Sequence, residues 1–380
     1  MAYRLPAYEQ GPIRPPSEAE SLLLRLTRNC PWNRCIFCPV YKGKVFSRRS
    51  PEEIKKDISA IADAAAAVKE ISLKNGFGGD VNRQTAALIQ SQYPEMFQIA
   101  YWLYKGGKTV FLQDGDSLLL PVPQLVDILE FLNEKFPSIE RITTYARSRT
   151  LLRRSVEDLI RLKDAGLNRI HVGLESGNDS VLEFMQKGVT GLQHIEAGQR
   201  VKKAGISLSE YVILGLGGAD LWRDHAVDSA RVLNQINPDF IRIRTLAISP
   251  HSLLFDKVRQ GEFKPLADDA IIREEALFID NLGGIESAFY SDHILNLLEE
   301  VNGKLPGDKS AMLNIINNYL AWPDQERELF RLGRRTGYFR SLSDINNPSL
   351  RSAAEKIYRQ LQNEGITVDD YIEELKLRFV

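Results

Sequence analysis

All three cysteines of this chain fall within nine consecutive residues, at Cys30, Cys35 and Cys38, and no feature constrains the fold more. Four residues separate the first pair and two separate the second. Three clustered thiolates suit a soft metal centre. A structural zinc normally takes four protein ligands. Here there is no fourth cysteine, and the nearest histidine in sequence is His171. A cubane [4Fe–4S] cluster held by three thiolates would leave one iron open to an exogenous ligand. The rival readings are a zinc knuckle and a fortuitous cluster of thiols.

The flanking sequence reads as alternating strands and helices. Leu22-Leu23-Leu24-Arg25-Leu26-Thr27 is an apolar run of buried-strand type leading into the cysteine loop. Ser50-Pro51-Glu52-Glu53 opens a helix to about Val68, with a capping serine, a first-turn proline and acids at the positive dipole end. A helical insertion over 81–105 follows. Further strands are expected at 109–113, 141–146, 169–174, 207–214 and 240–247, with helices at 124–136, 155–165, 194–204 and 222–236 between them. This order implies a parallel sheet with right-handed crossovers. From Pro250 the pattern turns mainly helical, at 268–280, 294–301, 309–320, 325–332 and 349–361. The expected organisation is an extended surface arm (1–20), a core (21–250) and a C-terminal helical extension (251–380).

Several motifs close the predicted strands. Asp114-Gly115-Asp116 follows the second, and Gly173-Leu174-Glu175-Ser176-Gly177 the fourth. Gly215-Leu216-Gly217-Gly218 follows the fifth. Tyr145 and Arg147 end the third, while Arg242 and Arg244 alternate onto one face of the sixth. Ser291-Asp292-His293, with Asn296, and the pair Asp224-His225 could each place a proton donor or simply serve a helix. The basic stretches 147–154 and 331–335 read as solvated surface.

Taken together, the cysteine triad, the fourth-strand run from His171 to Gly188 and the order between them resemble the radical S-adenosylmethionine (SAM) superfamily. The closest likeness is to the branch that includes coproporphyrinogen dehydrogenase, Elongator-type and methylthiotransferase cores. The commonest motif of that superfamily has three residues in the first gap, and this chain has four. The resemblance implies an α/β fold, a partial (β/α)6 TIM-like barrel with its site at the carboxyl ends of the strands. It implies a [4Fe–4S] cluster on Cys30, Cys35 and Cys38, and SAM as second cofactor. Phe37 would lie near the adenine, and Gly215 would present backbone to it. Asp114, Gly115 and Asp116 would receive the ammonium, in place of the usual Gly-Gly-Glu. Glu175 would accept the ribose hydroxyls, and Lys202 would pair with the SAM carboxylate. Candidates for contact with reacting groups are Tyr145, Arg244 and His293.

The implied reaction is reductive cleavage of SAM to a 5′-deoxyadenosyl radical, followed by hydrogen abstraction from a substrate, with flavodoxin or ferredoxin as electron donor. The alternatives are a non-catalytic relative, either a cofactor chaperone or a sensor, and an RNA-modifying enzyme. The 380 residues carry a net charge of −1, which gives no bulk electrostatic case for nucleic acid. No membrane span or signal peptide is expected, and clustered reduced cysteines suit the cytoplasm. A small molecule is the expected substrate, nucleic acid is not expected, and no cysteines remain for auxiliary clusters.

Overall fold

The computed structural model describes residues 7–377. The first part of the expected arm, residues 1–6, lies outside the described residues. In chain order the elements are β1 (Leu22–Arg25), β2 (Thr27–Arg28), β3 (Ser47–Arg48), α1 (Pro51–Lys74), α2 (Arg83–Gln92), α3 (Phe97–Tyr104), β4 (Thr109–Gln113), α4 (Val122–Lys135), β5 (Arg141–Ala146), α5 (Ser148–Leu151), α6 (Val156–Asp164) and β6 (Leu167–Glu175). They continue as α7 (Asp179–Phe184), α8 (Gly191–Lys203), β7 (Ser207–Leu214), α9 (Gly218–Ile236), β8 (Phe240–Thr245), α10 (Leu253–Arg259), α11 (Asp268–Asn281), β9 (Ala288–Tyr290), β10 (Gly303–Lys304), α12 (Lys309–Leu320), α13 (Asp324–Arg335), α14 (Pro348–Glu364) and α15 (Val368–Lys376). The chain divides into two compact units interleaved in sequence. One comprises Met1–Pro31, Gly43–Val172 and Arg200–Ser207, and the other comprises Trp32–Lys42, Gly173–Gln199 and Leu208–Val380. The residue 250 boundary expected from composition falls inside the second unit.

In the first unit, β1, β4, β5 and β6 pair in that order, all parallel, with Leu24 opposite Leu112, Phe111 opposite Thr143 and Thr144 opposite Ile170. Leu22, Leu24, Val110, Phe111 and Leu112 are almost fully buried, as befits strands covered on both faces. Helix α1 begins as its sequence dictates. The Glu53 N–H donates to Ser50 Oγ at 3.2 Å, and the Ser50 N–H donates to Glu53 Oε2 at 2.8 Å. It continues beyond the expected Val68 to Lys74 because Ile71 and Ser72 prolong the buried stripe, and it stops before Gly76 at φ +79°.

Residues 7–20 of the arm are mostly exposed or half-buried, with Pro15 and Glu18 as its buried anchors. Glu18 is fully buried and accepts from Ser21 Oγ at 2.6 Å, with Arg141 at 3.1 Å. Its carboxyl lies below the ordinary range. Desolvation alone would raise it, but His171, Ser21 and Arg141 together outweigh that. Upstream, Gln113 Nε2 donates to the carbonyls of Gly11 and Ile13, and the Gly11 N–H returns to Gln113 Oε1.

In the second unit, β7, β8 and β9 are parallel neighbours, and β10 is antiparallel to β9. In neither unit does the sheet close on itself. The alternation in sequence therefore gives the expected α/β class with mainly parallel strands, but the C-terminal part is not purely helical, since β9 and β10 extend the sheet. Helices α11 to α14 lie where expected, whereas 294–301 is irregular rather than helical. Asn296 is the physical reason. Its Nδ2 donates to the Ile243 carbonyl at 2.9 Å and to Ser291 Oγ at 3.1 Å, and its Oδ1 accepts from Thr245 Oγ1 at 3.0 Å. These side-chain bonds compete with a helical backbone. Leu295, Leu297, Leu298 and Val301 are buried around it without helical spacing.

Candidate functional site

The first-unit site is built at the end of β4. Asp114 is fully buried and is already engaged. It accepts from Arg25 Nη2 at 2.6 Å and Nε at 3.1 Å, and from the Asn29 N–H at 3.1 Å. This carboxylate fixes the backbone one residue ahead of Cys30. It was expected to meet a ligand ammonium. Gly115 makes the close approach foreseen, though its neighbour is the loop itself. A Cβ there would lie 3.3 Å from Cys30 Cα and 3.4 Å from the Asn29 carbonyl. Asp116, also fully buried, accepts from Thr150 Oγ1. Burial pushes its carboxyl up to about 7, against the lowering pull of Thr150 and Arg147. Tyr145 stands edge-on to Phe111 with centroids 5.1 Å apart, and 5.8 Å from the His171 ring. Lys202 is half-buried in the last turn of α8, where a cation suits the helix dipole.

The second unit holds the tighter arrangement. Glu175, the last residue of β6, is in the left-handed region at φ +65°, a conformation a non-glycine residue adopts only when its surroundings enforce it. Its Oε1 accepts from Lys187 Nζ at 2.9 Å, both side chains being largely buried. The carboxylate folds back over Gly173, where any Cβ would come within 2.1 Å of Oε1. The first glycine of the motif is therefore a vacancy shaped for the acid two residues on. Beyond Lys187, Gly188 at φ +74° leaves room for Trp32 of the cysteine loop, whose ring a Cβ would meet at 2.3 Å. Trp32 Nε1–H donates to the Gln186 carbonyl at 2.7 Å. Phe37 packs on a cluster of Ile36, Met185, Leu216 and Phe263. Glu210 on β7 was not singled out from sequence. It is buried, its carboxyl is held well above the usual range by burial and then by the charge of Glu175, and Lys187 pulls it back. An isolated acid in a strand carries no local pattern that could have marked it.

His225 is a buried fastener. Burial pushes it down to about 4, so it is neutral at ordinary pH. Its Nε2 faces the Ile213 carbonyl at 3.0 Å, which can only accept, so Nε2 carries the proton and Nδ1 accepts from Ser176 Oγ at 2.8 Å. This ties the turn after β6 to the end of β7. The Gly215 N–H donates to Glu274 Oε2 at 2.6 Å. Glu274, on α11, is pushed up to about 8, chiefly by burial. Part of the backbone expected to face a ligand is thus already paired with an acid from beyond residue 250.

On β8, Arg242 Nη1 reaches Asp292 at 3.2 Å, and Arg244 lies over the Tyr211 ring at 4.9 Å. His293 is half-buried. Its pKa falls to about 4 through burial first and then through the charges of Arg244 and Arg335. The basic stretch 331–335 is not solvated surface as expected. Arg335 pairs with buried Asp268, Arg331 with Asp369 and Arg334 with Glu299.

Cys30 belongs to the first unit, and Cys35 and Cys38 to the second. All three are half-buried and free of disulfides. Among the described residues no three His, Cys, Asp or Glu side chains stand grouped as a metal site. The donor chemistry fits an iron–sulfur cluster: three thiols lie within nine consecutive residues.

Parallel strands alternating with helices define an α/β fold. Residues 90–229 match the family model "Radical SAM superfamily", so this chain carries a radical SAM domain. That superfamily uses a [4Fe–4S] cluster and SAM. The chain is 22% identical over 280 residues to a tRNA uridine(34) acetyltransferase of Methanocaldococcus jannaschii, covering 70% of this chain and 50% of that protein. It spans about half the length of that relative. It is 23% identical to the heme chaperone HemW of Buchnera aphidicola, over 44% of each chain. Among solved structures, coproporphyrinogen III oxidase (HemN) of Escherichia coli aligns at 17% identity with a TM-score of 0.39, over 65% of this chain and 49% of that one.

Proposed function

We propose that this chain is a SAM-cleaving radical enzyme in which Cys30, Cys35 and Cys38 hold the cluster. The observation that carries the reading is the Asp114 clamp. A fully buried carboxylate and the Arg25 guanidinium are committed to fixing the backbone that enters Cys30. Such an arrangement is costly unless the loop it fixes has work to do. When bound, the cluster supplies one electron to SAM, whose C5′–S bond breaks to give methionine and a 5′-deoxyadenosyl radical. The chain's own residues bind and orient. Glu175, aimed by Lys187 and given space by Gly173, accepts the ribose hydroxyls. Phe37 lies against the adenine, and Lys187 neutralises the acid at this end of β6. The neutral His225 holds the β6 and β7 turns in register. An acidic flavodoxin- or ferredoxin-type protein in the cytoplasm donates the electron, and the substrate is a small molecule.

Anaerobic reconstitution with iron and sulfide, followed by dithionite and SAM, should release 5′-deoxyadenosine, and each Cys→Ala variant should lose both iron and release. A protein that carries iron and binds SAM without turnover would place it with the chaperone-like relatives. Zinc without iron would overturn the reading. Because the first relatives found are tRNA uridine(34) acetyltransferases, tRNA is the second substrate reading. Salt-dependent retardation of bulk tRNA by the reconstituted protein would favour it over a small molecule.

A further inference from the structure

The face of β8 carries two arginines with buried donors that nothing among the described residues accepts. Arg242 and Arg244 are two residues apart and point the same way. Arg242 is 6% exposed, and its guanidinium lies over Tyr290 at 4.9 Å and Phe240 at 5.7 Å. Arg244 lies over Tyr211 at 4.9 Å. Tyr211, Arg242 and Tyr290 are direct neighbours across β7, β8 and β9, so rings and guanidiniums form one continuous platform. The buried Arg242 Nε and Arg244 Nη1 donate to no group among the described residues. Asp292, which is exposed, pairs with Arg242 through Nη1 and not through the buried Nε. His293, beside Arg244, is neutral and adds no charge of either sign. Arginine cannot shed its proton to escape this situation. A buried guanidinium with unmatched N–H groups is best matched by an anion from outside the chain.

We infer that the β8 face binds an oxyanion of the substrate, a carboxylate or a phosphate, with Arg242 Nε and Arg244 Nη1 as donors and the flanking rings holding the guanidiniums flat. This rests on the enzyme reading, because the platform lies on the barrel-type sheet whose strand ends that reading assigns to SAM. It narrows the substrate to an anionic small molecule. One donor from each of two arginines can hold two oxygens of one anion.

The test uses reconstituted full-length protein and two probes, inorganic phosphate and succinate. Thermal unfolding is followed against chloride at matched ionic strength. One probe should raise the melting temperature in a saturable way, and the probe with the lower half-saturation identifies the group. Arg244→Gln and Arg242→Lys should weaken that half-saturation by about tenfold or more, the loss of one charge-assisted hydrogen bond. Arg359→Gln, at an exposed ion pair, should leave it unchanged. Arg242→Lys keeps the charge and serves if Arg244→Gln does not fold. No response to either probe, or a response that survives both variants, would overturn the inference. So would competition by SAM, since the site would then belong to the methionine carboxylate. Release of 5′-deoxyadenosine by the wild-type protein is scored separately, so loss of the enzyme reading and loss of the anion site give different results.

Discussion

Replacing Gly173 by alanine separates binding from folding. The new Cβ would lie 2.1 Å from Glu175 Oε1, 2.9 Å from its carboxyl carbon and 3.1 Å from Lys187 Nζ. All three atoms are ends of flexible side chains, so the strand can stay while the carboxylate is driven off. In a strand, alanine itself is no worse than glycine. The stability cost is therefore that of the Glu175–Lys187 contact, about 1 kcal/mol for a pair with some residual solvent access. The binding cost is larger. Losing a charged acceptor for the ribose hydroxyls removes about 1.5–3 kcal/mol, which is roughly 10- to 150-fold in Kd. Gly177→Ala is the contrasting case. Its Cβ would meet the Asp228 carbonyl at 2.4 Å and Ser229 Cα at 2.6 Å, both backbone atoms of α9 that cannot swing away. That variant should unfold at markedly lower denaturant. Equilibrium dialysis of SAM against reconstituted protein, with urea unfolding in parallel and Glu175→Gln as reference, gives both readouts. The reasoning fails if Gly173→Ala binds SAM like the wild type while Glu175→Gln does not, or if Glu175→Gln itself binds normally.

Asp114→Asn should cost about 1–3 kcal/mol of stability by weakening the Arg25 and Asn29 bonds, and iron retained after desalting should fall with it. Gly188→Ala should push Trp32 off its seat and lower iron retention, and should cost about 1–2 kcal/mol in urea unfolding, because φ +74° strains any Cβ. Glu274→Gln keeps an acceptor for the Gly215 N–H but removes a titration. The acid is pushed up to about 8 in the fold, so the native state holds a proton that the unfolded chain releases near its model value of 4.5. Its contribution is therefore full below 4.5 and is lost as pH rises toward 8, by up to about 1.4 kcal/mol per pH unit. Urea titrations across that window should show a flatter pH profile for Glu274→Gln, and an unchanged slope would refute the assignment. His225 works in the opposite sense. Its pKa drops from 6.5 to about 4 on folding, so its share of stability is lost as pH falls from 6.5 toward 4, and His225→Gln should remove that acid-side loss in the same titrations.

The alternation of strands and helices was legible because it rests on local rules: the Ser50 capping box, the apolar run at Leu22–Leu24, the glycines closing the helices. Candidate site residues could be named from sequence where they cluster. Glu175 and the thiols announce themselves, and Gly173 proves to be the space the acid needs. What escaped detection is decided by contacts distant in sequence. Asn296 breaks an apparently helical stretch by bonding to β8, 53 residues away for Ile243. Asp114 looked like a ligand-facing acid until Arg25 claimed it. Lys187 lay inside the quoted fourth-strand run, but its position over Gly173 depends on the left-handed turn at Glu175. Glu210 and Glu274 acquire their character only from burial, which no spacing reveals.

The N-terminal arm has a practical consequence. One carboxylate, Glu9, answers Arg25 at 2.9 Å and Arg28 at 2.7 Å, and stands 3.4 Å from Arg49. A shortened chain lacking its first dozen residues would leave those guanidiniums one counter-charge poorer, beside the entry to the cysteine loop. Net charge would not change, since Arg4 leaves with Glu9, but the local cluster of guanidiniums would attract heparin or stray nucleic acid. Retention on those matrices says something about catalytic targets only when the arm is intact.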